Sequence, residues 1–245
     1  MSVAIPNFTY NYLRKGKPVF VPTKIGRRIG TEIKEAVEGA YAFGPIYFHL
    51  RRGGHVAAMH HHREKNTFAR IDISNFFYSI SRRRVQSALD RIGVGNACFY
   101  AKWSTVLSPF GNPRYALPYG FVQSPILASL VIATSDLGQH LLKLPASVKA
   151  GVYVDDISLS SDDADELQRA YNATLAVIAA DGFAVNPGKL RPPAPAIDIF
   201  NCDLSHGKAS VTDDRINAFL ATNPSQAAED AFVAYCASVE MGNQP

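Results

Sequence analysis

The sequence predicts an α+β protein in which an antiparallel sheet is backed by helices. Three observations carry that prediction. Residues 152–160 alternate apolar and polar side chains around two adjacent acids, as a β-hairpin with a charged tip does. Residues 68–73 form a short apolar run interrupted by Asp72. The segments between show helical periodicity but no repeating strand–helix–strand unit.

Taken in order, residues 18–21 are a strand candidate, and residues 31–41 a helix with Ile33, Val37 and Tyr41 on one face. In the strand at 68–73, alternation puts Ala69, Ile71 and Ile73 on one face and Arg70 and Asp72 on the other. Phe76, Phe77 and Tyr78 follow it, and by that alternation they cannot all point inward. Ser81 caps a helix whose Val85, Ala88, Leu89 and Ile92 share a face, ended by Gly93. Pro125 opens a long apolar helix through about His140. Asp162 or Asp163 starts another, striped by Leu167, Tyr171, Leu175 and Ile178 and stopped by Gly182. Pro192, Pro193 and Pro195 mark a loop before a last hairpin.

A chain of 245 residues, 47% hydrophobic, can bury a full core in one domain or two subdomains. No apolar run reaches the length of a membrane span and no signal-peptide core precedes Pro22, so no membrane partner is expected. Three scattered cysteines (Cys98, Cys202, Cys236) suit a reducing, cytoplasmic setting. The net charge of +4 is unevenly divided: residues 1–91 carry +10 and residues 92–245 carry −6. A basic front half beside an acidic half suits a nucleic-acid enzyme, one part neutralising phosphates and the other holding metals. His60, His61 and His62, with His49 and His55, do not read as a zinc site, because adjacent histidines diverge and no cysteine or acid stands at a zinc-finger spacing. No Gly-x-Ser-x-Gly occurs, which removes serine hydrolysis.

Asp155 and Asp156 carry the chemistry. Neighbouring carboxylates between apolar strands repel one another and lose hydration, a penalty a divalent cation removes. Oxygen-only ligands suit Mg²⁺, which takes one or two carboxylates and completes its shell with water and substrate phosphates. If the Asp72 strand lies beside the hairpin, the three acids converge. Two metals about 3.5–4 Å apart could then clamp the attacking and leaving oxygens of an in-line phosphoryl transfer.

Asp72 with Phe76-Phe77, then Leu117-Pro118-Tyr119-Gly120-Phe121-Val122-Gln123-Ser124-Pro125, then Tyr153-Val154-Asp155-Asp156, resemble the ordered A, B and C motifs of reverse transcriptases. Gly182-Phe183-Ala184-Val185-Asn186-Pro187-Gly188-Lys189 resembles the D motif with its lysine, and Ile197-Asp198-Ile199-Phe200-Asn201-Cys202-Asp203-Leu204 sits where the primer-grip hairpin belongs. The likeness runs from about Lys17 to about Val211. The compact plan is most similar to bacterial retron, abortive-infection and defence-associated members.

The resemblance implies a right-hand polymerase: fingers at 1–66, a palm at 67–211 with 81–116 as the finger–palm connection, and a short helical segment at 212–245 as a reduced thumb. It implies RNA-directed DNA synthesis with two Mg²⁺ ions (Mn²⁺ as a substitute) held by Asp72, Ile73, Asp155 and Asp156. Lys189 would donate a proton to departing pyrophosphate. Lys24, Arg27, Arg28, Phe77, Tyr119, Gly120 and Tyr153 would contact the deoxynucleoside triphosphate. Phe77 would fill the space of a ribose 2′-OH, and Tyr119 stands where the family commonly has Gln. RNA template, DNA product and a structured non-coding RNA are the implied partners, with a partner protein or second copy in place of a thumb and a role in antiviral defence. DNA-templated, template-independent or protein-primed synthesis, or a non-catalytic RNA- or protein-binding subunit, stay open as alternatives.

Overall fold

Described over residues 6–242, the computed structural model begins with a hairpin, β1 (Phe8–Arg14) and β2 (Lys17–Pro22), turned at Lys15 and Gly16, both at positive φ. Helix α1 (Lys24–Ala40) follows, its Gly26 N–H donated to the Thr23 hydroxyl at 2.9 Å. The sequence predicts this helix only from residue 31. It starts seven residues earlier because Thr23 caps it, and because Gly26 lets its first turn press on the preceding chain. A Cβ there would lie 2.3 Å from the Asn7 carbonyl oxygen.

The remaining elements, in chain order, are α2 (Gly54–His62), β3 (Thr67–Asp72), α3 (Phe76–Ser79), α4 (Arg82–Arg91), α5 (Ala97–Trp103), β4 (Val106–Leu107), β5 (Tyr115–Ala116), α6 (Ser124–Ala133), α7 (Asp136–Leu142), β6 (Lys149–Tyr153), β7 (Asp156–Ser161), α8 (Ala164–Ala180), β8 (Arg191–Ala194), β9 (Ala196–Ile199), β10 (Cys202–Ser205), β11 (Lys208–Val211), α9 (Asp213–Leu220) and α10 (Gln226–Met241). Ser81 and Asp163 cap α4 and α8 through the amides of Arg84 and Glu166, and Gly93 and Gly182 follow them at positive φ. The helix from Pro125 does not run to His140. It breaks after Ala133, where the Thr134 and Ser135 hydroxyls donate to the Leu130 and Ile132 carbonyls at 2.8 and 2.9 Å and compete with the helical ladder.

The chain divides into two compact units. The first holds residues up to Gly44 with Ser74–Gln139. Its helix α6 is buried on nearly every side, with α1 and α4 packed on it. Phe20, Tyr78, Val106, Ala116 and Phe121 form a second cluster under the hairpin. Phe76, Phe77 and Tyr78 are all buried, contrary to the expectation from strand alternation. They occupy a single helical turn, whose side chains fan out in different directions and here meet protein on each.

The second unit holds Pro45–Ile73 and the chain from His140 onward, so residues 45–66 cluster with the sheet. Its antiparallel sheet runs β6-β7-β3-β8, with α8 packed on β3, β7 and β8, and α2 on β6. A smaller antiparallel sheet, β11-β10-β9, encloses Phe68, Val56, Met59 and Val239 in a shared core. Pro192 and Pro193, expected in a loop, lie in edge strand β8, where a residue without an N–H is tolerated because only one side of the ladder is paired.

Candidate catalytic site

In the second unit, three neighbouring segments assemble the acids. The antiparallel register of β3 and β7 sets Asp72 directly opposite Asp156, so both side chains leave the same face of the sheet. Tyr153 pairs with Asp156 across the hairpin, leaving Val154 and Asp155 as a two-residue turn. Such turns need positive φ, and Val154 supplies it at 59° despite its branched Cβ, a strained choice. Clamps hold the strained tip: the Ile73 N–H donates to the Asp155 carbonyl at 3.0 Å and the Val154 N–H to His49 Nδ1 at 3.4 Å.

Each carboxylate that faces its neighbour across the register has a resident cation. Lys189 Nζ donates to Asp72 Oδ2 at 2.9 Å. The lysine is aimed there by its backbone, since the Asn186 N–H donates to the Asp72 carbonyl at 2.9 Å and Val185 bridges Ile73. Arg70 takes Asp156, its Nε and Nη2 lying 2.7 and 2.6 Å from Oδ1. It also reaches the Asp198 carbonyl at 3.3 Å, and Asp198 is shared with Arg191. Burial pushes the Asp156 carboxyl above its ordinary value. Arg70 opposes that shift by charge and hydrogen bond, Asp72 adds to it, and Lys189 opposes it.

Among the described residues, no three His, Cys, Asp or Glu side chains are grouped as a ready metal cage. Mg²⁺ rarely uses one: it takes one or two carboxylates with water and phosphate oxygens. Asp72 and Asp156 on one face, with Asp155 in the adjoining turn, have the hard oxygen chemistry that ion requires. Ile73, with an apolar side chain, has only its carbonyl to offer. Tyr153 stands beside the acids, its ring packed edge-on against His49, His55 and Phe200 at 5.9, 6.1 and 5.1 Å.

In the first unit, Phe77 is 7% exposed and lies 4.7 Å, ring to ring, from Tyr119. Lys17 Nζ donates to the Tyr119 hydroxyl at 3.1 Å. Lys17 is not among the expected nucleotide contacts; it stands just after the Gly16 turn, at the start of β2. Gly120, at φ 99°, has a structural reason for its identity: a Cβ would lie 2.2 Å from the Phe20 carbonyl oxygen. Lys24, Arg27 and Arg28 sit exposed on the first turns of α1, and Arg28 pairs with Glu32 at 3.3 Å.

Residues 13–192 match the family model described as reverse transcriptase (RNA-dependent DNA polymerase). The chain belongs to the reverse transcriptase family. No curated protein sequence matches it. Among solved structures it is similar to a telomerase from Candida albicans in complex with a fragment of telomeric RNA, at 14% identity and TM-score 0.52, covering 78% of this chain and 37% of that one. It is also similar to a foamy viral protease-reverse transcriptase in complex with double-stranded DNA, at 15% identity and TM-score 0.52, covering 89% and 32%. The chain thus spans about a third of the length of each, and at these identities the likeness speaks for the fold alone. Within this family member, the Tyr119 substitution is tied into the structure: its carbonyl accepts from the Phe20 N–H at 2.8 Å and its hydroxyl from Lys17. Among the described residues, no helix is long and apolar enough to cross a membrane.

Proposed function

We propose that this chain is a nucleotidyltransferase that extends DNA on an RNA template, its chemistry centred on Asp72 and Asp155. The observation that carries the reading is the juxtaposition of β3 with the strained Tyr153–Asp156 hairpin in a member of the reverse transcriptase family. Residues 1–66 are read as the fingers, residues 67–211 as the palm with 81–116 as its connection to the fingers, and α9 and α10 as a reduced thumb. Bound Mg²⁺ would neutralise phosphate charge and lower the pKa of the attacking hydroxyl. Asp72 and Asp155 are the carboxylates that would hold it, with the Ile73 carbonyl beside them, while Asp156 is anchored by Arg70 and acts less directly.

The other residues orient and exclude. Phe77, in contact with Tyr119, would leave no room for a 2′-OH on an incoming sugar. Lys17 and Tyr119 offer donors to the nucleotide, and Lys189 holds a proton for the departing pyrophosphate. A structured RNA partner and a defence role extend this reading and rest on the family resemblance.

Primer extension on defined RNA and DNA templates tests it. Wild-type protein should incorporate deoxynucleotides in Mg²⁺, with RNA the better template, while Asp72→Asn and Asp155→Asn lose incorporation and keep a wild-type circular dichroism spectrum. Robust Mg²⁺-dependent synthesis by Asp155→Asn would sink the assignment. Equal use of DNA templates, or synthesis without a template, would change the activity's class.

A further inference from the structure

The two cations on the acidic face are held very differently. The Arg70 side chain is 10% exposed, on a central strand, and tethered to both Asp156 and Asp198. The Lys189 side chain is 50% exposed and, among the described residues, hydrogen-bonds to Asp72 alone, while the Asp72 side chain beneath it is 4% exposed. The lysine therefore reaches inward from solvent to a buried carboxylate. Its backbone is pinned: the Lys189 N–H donates to the Asn186 carbonyl at 3.0 Å, and Asn186 is itself anchored on Asp72. Only the four-carbon stem is free to swing, and it can do so without disturbing the sheet. A buried carboxylate needs a counter-charge, and an ammonium and a divalent cation cannot share one such oxygen without strong repulsion.

We propose that Lys189 is a releasable counter-ion: it neutralises Asp72 while no metal is present, a divalent cation displaces it, and its N–H donors are thereby freed for the nucleotide's phosphates. This deepens, and rests on, the reading of Asp72 as a metal ligand. Arg70, by contrast, stays on Asp156 in both states. The lysine thus couples metal loading to the availability of a phosphate donor, at a position the sequence alone marks only as a proton source.

Mn²⁺ binding measured by calorimetry without nucleotide, at fixed pH and ionic strength, tests the competition. Coupling between sites commonly amounts to about 5–150-fold, so Lys189→Gln should bind Mn²⁺ at least about fivefold tighter than wild type while incorporating nucleotide more slowly. Lys208→Gln, which removes an exposed charge on β11, should stay within about twofold of wild-type affinity on the same scale. A second measurement needs no variant: amine acetylation of Lys189 in the wild-type protein, followed by mass spectrometry, should rise when Mn²⁺ is added. Unchanged or weaker Mn²⁺ affinity in Lys189→Gln, an equal gain in Lys208→Gln, or labelling indifferent to Mn²⁺ overturns the proposal. Asp72→Asn binding Mn²⁺ as wild type does overturns instead the metal reading beneath it.

Discussion

Acidification should destabilise the second unit through a single buried imidazole. His62 is 1% exposed, with Nδ1 2.7 Å from the Ser160 hydroxyl and Nε2 2.8 Å from that of Ser158. Ser158 also donates to the Gly151 carbonyl at 3.3 Å, so Nε2 carries the proton and Ser160 donates to Nδ1. Burial, with the charges of His61 and Lys149 behind it, holds His62 well below its ordinary 6.5. The native ring is neutral, whereas in the unfolded chain it titrates at the ordinary value. Its contribution is therefore fully present above pH 6.5 and is lost as pH falls from there through the native value. One extra proton on the unfolded state costs about 1.4 kcal/mol per pH unit, which bounds the loss between pH 7 and pH 5 at about 2 kcal/mol. Urea unfolding at several pH values, followed by circular dichroism, measures this for wild type and His62→Gln. The difference between them cancels other groups, including His61, which burial lowers as well. Parallel stability–pH curves for the two proteins would refute the reasoning.

Two further outcomes follow from the first unit. Gly120→Ala should destabilise by about 2–4 kcal/mol, because the new Cβ meets a backbone oxygen and the residue keeps a positive φ. A melting temperature within a degree of wild type would contradict this. Phe77→Val should admit ribonucleotides, shifting the deoxy/ribo ratio by about 1–3 kcal/mol, roughly 10–200-fold. Single-nucleotide incorporation measures that ratio, and an unchanged value leaves Phe77 as packing for Tyr119 alone.

Much of the acidic face is legible in the amino-acid sequence. The Asp155 hairpin and the Asp72 strand declared themselves by period-two alternation broken only by charge, and α4 and α8 by a capping side chain at one end and glycine at the other. What escaped has physical causes. In β1 only Phe8 is even partly buried, so no inward face marks the strand. Helix α2 has few apolar anchors and a hydrogen-bonded histidine in their place. The Arg70–Asp156 pair joins residues 86 positions apart, and nothing local signals a partnership that only strand order creates. In the basic run Lys24-Ile25-Gly26-Arg27-Arg28 the glycine lets the first turn of α1 press on the preceding chain, a close approach that no local pattern signals.

Strand β8 gives the main sheet an unusual border. Two of its four residues are proline, so the rim of the β6-β7-β3-β8 ladder lacks the run of N–H donors on which a stray strand could dock. A protein with the proposed work of receiving long flexible polymers has good reason to deny its sheet edge to other polypeptides. Those prolines make this side of the acidic sheet a terminus, leaving chain addition at β8 without the hydrogen bonds that aggregation by edge pairing requires.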